Sequence, residues 1–268
     1  MIVVKAGGNG RVDFQAVCED VVTLIQEGEQ VILVHGGSHD MDVISEKLGR
    51  PPRYVMTPSG IISRYTDRET MEIFAMVVAG RVNKLLVEEL QRRGVDAVGL
   101  SGVDGHLLVG KRKAVLRVME GEKQRVLRDD YGGTVETVRA DLLRALLAAG
   151  LTPVIAPMAL SLEGEMLNVD GDRVAAAIAA AMGADRLVIL SNVPGLLRNP
   201  PDESTLITHI PRTQAELHLD RYAQGKMKKK LLGTIEALES GVTEVVIADG
   251  RVPHPLQKAL AGQGTVIA

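Results

Sequence analysis

Cysteine occurs once in this 268-residue chain, at Cys18, and tryptophan not at all. A lone thiol forms no intrachain disulfide and excludes a cysteine-rich metal site, so helix packing is the role expected of it. Aromatic residues make up only 2% of the sequence, too few for a base-stacking surface, and a formal net charge of -3 lacks the cationic excess that broad nucleic-acid binding needs. No apolar run approaches the ~18 residues that span a bilayer, and the N-terminus lacks the basic stretch, apolar core and small-residue cleavage pattern of a secretion signal. The expectation is a cytoplasmic protein with neither nucleic acid nor membrane among its partners. What is abundant is apolar material: 46% hydrophobic residues against 24% charged ones, enough to fold around a substantial core.

That material is arranged in short β-branched runs alternating with longer helical patterns. MIVVK precedes a helix over about Phe14 to Gly28, and QVILVH precedes another over about Ser38 to Leu48. Further strands are predicted at residues 97–100, 152–157, 187–191 and 244–248. They are apolar throughout instead of alternating, which suits a mainly parallel sheet covered on both faces. Helical patterns lie at Arg68 to Arg93, Val135 to Gly150, Arg173 to Gly183 and Lys226 to Gly241. The exception is 113–127, KAVLRVMEGEKQRVL, which reads as a hairpin turning at Glu120, Gly121 and Glu122. No repeat or low-complexity linker intervenes, so two lobes would share one sheet.

Two strand ends carry glycine pairs, Gly7-Gly8 after VVKA and Gly36-Gly37 after VILVH. In a parallel sheet both lie at the carboxyl edge, where backbone N–H groups face an anion. Glycine also permits tight turns without any ligand, but two pairs on adjacent strands, one preceded by Lys5, favour phosphate. GHLLVGKR (105–112) imitates a P-loop, yet it ends in Arg112 where a magnesium-binding Ser or Thr belongs, and HLLVG reads as a strand. His35 and His39 are four apart, but glycines break the helix between them and no HExxH surrounds them, so metal ligation is not expected there.

In MLNVDGDRVAAAIAAAMGA (166–184), Asn168, Asp170 and Asp172 alternate ahead of an alanine-rich helix, so that Asn168 and Asp172 can share a side beside the positive helix end. Either aspartate could instead be a plain helix cap. GKMKKKLLG (225–233) carries four lysines in five positions around Met227. Such a run is mostly a solvated face, but one lysine at a helix start can reach a phosphate site.

Together, VVKAGG, VHGG, SRYTD (63–67), GRVNK (80–84), VGLSGVDG (98–105), LNVDGD, LSNVPGLL (190–197) and GKMKKK fall in the order seen in amino acid kinases of the acetylglutamate kinase type, and the resemblance covers essentially the whole chain. It implies a three-layer αβα sandwich with a central mostly parallel sheet, the amino acid kinase fold, plus a β-hairpin insertion. Residues 1–170 would form a substrate-binding lobe and 171–268 an ATP-binding lobe of one continuous domain. VHGGSHDMD replaces the usual HGGGP start of the second helix, and SRYTDRETMEIFAMVVAGRVNK looks like the carrier-dependent branch, which phosphorylates aminoadipate attached to an acidic amino-group carrier protein in lysine biosynthesis. A free acetylglutamate kinase of arginine biosynthesis and a kinase for carrier-bound glutamate are the alternatives, and a nucleotide-sensing protein without catalysis is a more distant one.

The resemblance places Lys5 and Lys230 at the transferring phosphoryl group, with Asp172 organising both; a one-residue slip would substitute Lys229 or Lys228. Gly36, Gly37, Arg64 and Asn168 would bind the substrate, Arg64 holding a carboxylate. Gly7, Gly8, Ser191, Asn192, Gly195 and Met227 would bind nucleotide and phosphate. ATP with Mg2+ is the implied cosubstrate, the ion held mostly by phosphate oxygens with no dedicated protein metal site. A homodimer lacking arginine feedback is implied too, since the chain begins at its first strand.

Charge is segregated. Residues 111–128 hold seven basic side chains (Lys111, Arg112, Lys113, Arg117, Lys123, Arg125, Arg128) against Glu120 and Glu122, while Arg50, Arg53, Arg64 and Arg68 face only Asp67 within residues 50–68. The expectation is a basic rim that steers an acidic carrier.

Overall fold

The computed structural model describes residues 1–58, 60, 62–113, 115–121 and 123–268, with Lys226 described by its backbone alone. Glu122, placed above at the hairpin turn, lies outside the described residues.

Among the described residues, eight strands form a central sheet in the spatial order His209–Ile210, Thr265–Ile267, Glu244–Asp249, Arg186–Ser191, Ile2–Ala6, Val31–His35, Thr152–Ala156 and Ala97–Ser101. Thr265–Ile267 runs antiparallel to Glu244–Asp249, and the remaining neighbours are parallel. The sheet is continuous from the first half of the chain to the second, and Ile2–Ala6 lies inside it, paired on both sides.

Period-two alternation divides the strand side chains between two cores. Val3, Ile32, Val34, Leu187 and Ile189 pack with the helices Gly171–Met182 and Gly225–Glu239. Ile2, Val4, Val31, Leu33 and Val188 pack with Phe14–Gln26, Asn83–Arg92 and Pro255–Leu260. This parity fixes the direction of the polar residues at the strand ends: Lys5 follows Val3 toward Gly171–Met182, whereas His35 follows Leu33 toward Asn83–Arg92.

Local chemistry sets the helix ends. Asp13, Asp67 and Asp170 cap their helices through side-chain acceptors, and Gly183 closes Gly171–Met182 in the left-handed conformation at φ 62°. The helix predicted over 68–93 runs from Arg68 to Arg92, but its middle, Ala75–Val82, is π-helical.

The helix expected over Val135 to Gly150 is corrected: Gly133–Val138 is a strand, and the helix covers only Ala140–Ala148. The β-branched residues of GTVETV pair antiparallel with Leu108–Arg112, a partner that local periodicity does not reveal. That same pairing makes the P-loop look-alike a strand. Two four-stranded sheets flank the core, and one joins Ile62–Arg64, Tyr54–Met56, Leu116–Glu120 and Lys123–Leu127. Among the described residues, no helix is long and apolar enough to cross a membrane.

Candidate active site

Lys5 leaves the first strand with 7% of its surface exposed, and its Nζ lies 2.8 Å from Oδ1 of Asp172. From the helix Gly225–Glu239, the Nζ of Lys230 reaches Oδ2 of the same carboxylate at 2.9 Å and Oδ1 at 3.2 Å. The two aspartates divide the labour: Asp170 is the helix cap, accepting from the N–H groups of Asp172 at 3.0 Å and Arg173 at 3.3 Å, which leaves the Asp172 carboxylate to the lysines. In the lysine run, Lys228 is exposed and Lys229 half-buried, while Lys230 is buried against Asp172.

Burial alone would push the Asp172 carboxyl up, but the Lys230 and Lys5 ammonium groups hold it well below the usual carboxylate range. Burial pulls the Lys230 ammonium below its usual value against the opposing attraction of Asp172, and the charge of Lys5 adds to the fall. Two cations on one anion leave a positive surplus in a pocket shielded from water, and this favours a polyanion.

The glycine pairs meet backbone to backbone. A Cβ on Gly8 would sit 1.9 Å from the Gly37 nitrogen, and one on Gly36 would sit 2.5 Å from the Gly8 nitrogen, so any side chain would drive the turns apart. Ser38 Oγ and His39 N–H both donate to the Gly8 carbonyl at 2.8 Å, and the Gly36 N–H donates to Ala6 at 2.8 Å. Among the described residues, the Gly8 and Gly37 N–H groups have no acceptor. Gly7 donates to the Leu190 carbonyl at 3.0 Å, which ties the first turn to the strand ending at Ser191. Ser191 accepts from Gly250 N–H at 2.7 Å, and Gly195, at φ 155°, precedes Leu196, whose N–H donates to Thr265 Oγ1 at 2.8 Å. Asn192 lies between them, and Met227 packs against the core beside the lysine helix. No hydrogen bond joins Ser191, Asn192, Gly195 or Met227 to the two lysines among the described residues.

Arg64 is directly opposite Tyr54 in an antiparallel pair. Its guanidinium forms an ion pair with Asp42 at 2.6 Å and donates to the Tyr54 hydroxyl at 3.0 Å and the Ser38 carbonyl at 3.2 Å, while Nη1 is buried without a partner among the described residues. A buried donor with no acceptor is costly until a ligand oxygen arrives. Asn168 donates to Thr66 Oγ1 at 3.0 Å, and Asp130 accepts from the Thr66 and Gly132 N–H groups at 2.9 and 3.0 Å. Asp42, Tyr54, Thr66 and Asp130 were not found from sequence. Only the unusual SHDMD and SRYTD segments pointed near them.

The profile of the amino acid kinase family matches residues 1–249. The chain belongs to the amino acid kinase family. Among its relatives, a LysW-aminoadipate kinase of Deinococcus radiodurans is 53% identical over 268 residues, covering 100% of this chain and 91% of the relative. A protein of the same name from Thermus thermophilus is 51% identical, with 100% of both chains covered. Among solved structures, N-acetylglutamate synthase of Neisseria gonorrhoeae, complexed with coenzyme A and N-acetyl-glutamate, superposes with a TM-score of 0.79 at 26% identity. That match covers 100% of this chain, which spans 59% of the synthase.

The basic segments adjoin, since Tyr54–Met56 pairs with Leu116–Glu120. Several of their charges are nevertheless already engaged. Arg112 bonds Glu165 at 2.9 Å and lies over the Tyr131 ring at 3.9 Å, so its place in a steering rim is corrected to a structural one. Arg125 pairs with Glu120, Arg50 with Asp67 and Glu69, and Arg68 with Glu72. Lys111, Lys113, Arg117, Lys123 and Arg128 form no ion pair with another described residue. Exposed Tyr54, Met56, Ile62 and Val126 lie on strands of the same sheet.

Proposed function

We propose that this protein transfers the γ-phosphoryl group of ATP to the side-chain carboxylate of aminoadipate carried on LysW, giving an acyl phosphate in lysine biosynthesis. The observation that carries the reaction class is the pairing of Lys5 and Lys230 on Asp172 in an amino acid kinase fold. The substrate is argued from full-length relatives at 51 and 53% identity that bear that name.

The chemistry needs no general base, because a carboxylate with a pKa near ~4.3 is already ionised at neutral pH. Its oxygen attacks the γ-phosphorus as the bond to the β-phosphate oxygen breaks and ADP departs, and no proton changes place. The obstacle is charge. Lys5 and Lys230 offset negative charge on the phosphoryl oxygens, the Gly8 and Gly37 N–H groups offer fixed dipoles, and Asp172 keeps both ammonium groups aligned. Arg64 presents Nη1 to a substrate carboxylate, and Asn168 supports the same end.

Both Asp172 oxygens face ammonium groups, so this centre suits magnesium delivered with ATP on phosphate oxygens. A cleft of about 200 Å³, lined in part by Thr57, Ser63, Lys113, Thr134, Asp170 and Lys229, lies between strands of both four-stranded sheets and the two helices that carry Asp172 and Lys230. It supports a lobe division near residue 170. The carrier would dock on the sheet that contains Tyr54–Met56 and Leu116–Glu120, guided by Lys113, Arg117, Lys123 and Arg128 and by Lys111 on the neighbouring sheet, with the enzyme a cytoplasmic homodimer.

The test offers acetylglutamate, LysW-glutamate and LysW-aminoadipate in parallel with MgATP and traps the acyl phosphate as a hydroxamate. LysW-aminoadipate should give the highest kcat/KM. Preference for free acetylglutamate would overturn the reading.

A further inference from the structure

The motifs VHGG, GRVNK and VGLSG converge on one buried polar chain behind the glycine turns. Lys84 donates from Nζ to the Asn83 Oδ1 at 3.1 Å and to the Gly99 carbonyl at 2.9 Å. With its oxygen turned to the ammonium, Asn83 directs its amide NH2 to the Val154 carbonyl at 2.9 Å and to Nε2 of His35 at 3.0 Å. Nε2 therefore accepts, and the ring proton resides on Nδ1, which faces the Gly36 carbonyl at 2.9 Å. His35 and Asn83 are both 0% exposed. Gly99 is required here because a Cβ would lie 2.0 Å from Asn83 Oδ1. The π-helical turns Ala75–Val82 lead directly into Asn83, and such departures recur at functional sites.

In a trans peptide, C=O and N–H point in opposite directions. Tethering the Gly36 carbonyl to the buried ring therefore turns the Gly37 N–H, which has no acceptor among the described residues, away from the core. We propose that His35 is a positioning residue which, held as the Nδ1–H tautomer by Asn83, aims the Gly37 N–H at the anion in the phosphoryl-transfer cleft. The inference rests on the kinase reading for the identity of that anion. It gives the GRVNK segment a task separate from substrate contact: Asn83 sets a tautomer and Lys84 sets Asn83. Burial pulls the His35 ring down to about 4, the Gly36 carbonyl opposes this, and Lys5 on the adjacent strand and Lys84 on the helix add to the fall, so the ring is neutral at working pH.

The experiment joins 15N-histidine NMR of the full chain with kinetics. The His35 resonances, identified by their loss in His35→Asn, should report a protonated Nδ1 and a bare Nε2; a ring protonated at Nε2 would overturn the proposal. His35→Leu should lower kcat by about tenfold to a hundredfold with the KM for ATP little changed, as expected for one lost donor to a charged group. His35→Asn, whose amide nitrogen takes the place of Nδ1, should recover most of that loss, and equal impairment of both variants would refute the inference. Should His35→Leu fail to fold, Asn83→Asp serves: its carboxylate cannot donate to Nε2 and accepts from it instead, so Nε2 should become protonated and kcat should fall, and an Nε2 that stays bare counts against the idea. Wild-type enzyme that makes no acyl phosphate would refute the kinase reading instead, and the NMR result stands apart from it.

Discussion

Lys5 and Lys230, from opposite ends of the chain, share one carboxylate: Asp172 receives the first at 2.8 Å and the second at 2.9 Å. Removing either ammonium should therefore remove charge compensation at the moment of transfer without emptying the nucleotide site. Lys5→Met and Lys230→Met, which keep the side-chain volume, should each lower kcat by roughly a hundredfold to a thousandfold, about 2.7 to 4 kcal/mol. ATP affinity by calorimetry should change far less. Turnover near the wild-type value in either variant removes that lysine from the reaction.

Asp172→Asn leaves two buried ammonium groups facing each other without a counter-charge. The expected loss is about 3 to 5 kcal/mol of unfolding free energy, measured by denaturant titration. Adding Lys5→Met should restore part of it, because the two sites are coupled. Strict additivity of the two losses would show that the contact carries little energy.

Acid should weaken the fold in two stages. His35 is held at about 4, below its ordinary value, so between pH 6.5 and 4 the unfolded chain binds a proton that the folded chain refuses. Its contribution of about 3 kcal/mol is complete above pH 6.5 and is lost as pH falls toward 4. Asp172, held low by Lys230 and Lys5 against the opposing effect of burial, favours the fold above the ordinary carboxylate range and loses that effect at more acid pH. Denaturation midpoints should therefore decline from pH 6.5 downward, and His35→Asn should flatten the upper stage alone.

Reversing Lys111, Arg117 and Lys123 to glutamate should lower kcat/KM for the LysW-bound substrate by at least about tenfold at low salt, and added salt should narrow the gap. Acetylglutamate turnover, if measurable, should be unaffected. Equal carrier-dependent rates for the two proteins at low salt would exclude steering by these three charges.

Gly8→Ala should be among the most damaging single-methyl additions, because the new Cβ would lie 1.9 Å from the Gly37 nitrogen. The Gly-Gly turns must separate, and with them the two N–H groups that have no acceptor among the described residues. Activity should collapse while a circular dichroism spectrum keeps its helical content; full activity would mean that these turns do not touch the phosphates.

Residue pattern alone marks Lys5 and the Gly36-Gly37 pair, which stand at strand ends where glycine spacing announces them. Asp172 is different: its spacing fits a helix cap as well, and only the family resemblance sets it between Lys5 and Lys230. Asp42 and Tyr54 were not legible. Their grip on Arg64 depends on the register Tyr54↔Arg64 in two three-residue strands, too short for alternation to show. The strand Gly133–Val138 was missed for a related reason, since its pairing partner is remote and its pattern runs straight into a helix. Arg112 was misjudged because composition counts a charge but does not see Glu165 and Tyr131 neutralising and covering it.

The strand bearing Lys5 is synthesised long before one of its two lateral neighbours, Arg186–Ser191, and before the helix that supplies Asp172. Until those segments emerge, a nascent chain holds a cationic strand end with an open edge and no counter-ion. Catalytic competence is therefore among the last properties to arise during biogenesis, and truncated products lacking the final third should be both inert and prone to association through that edge.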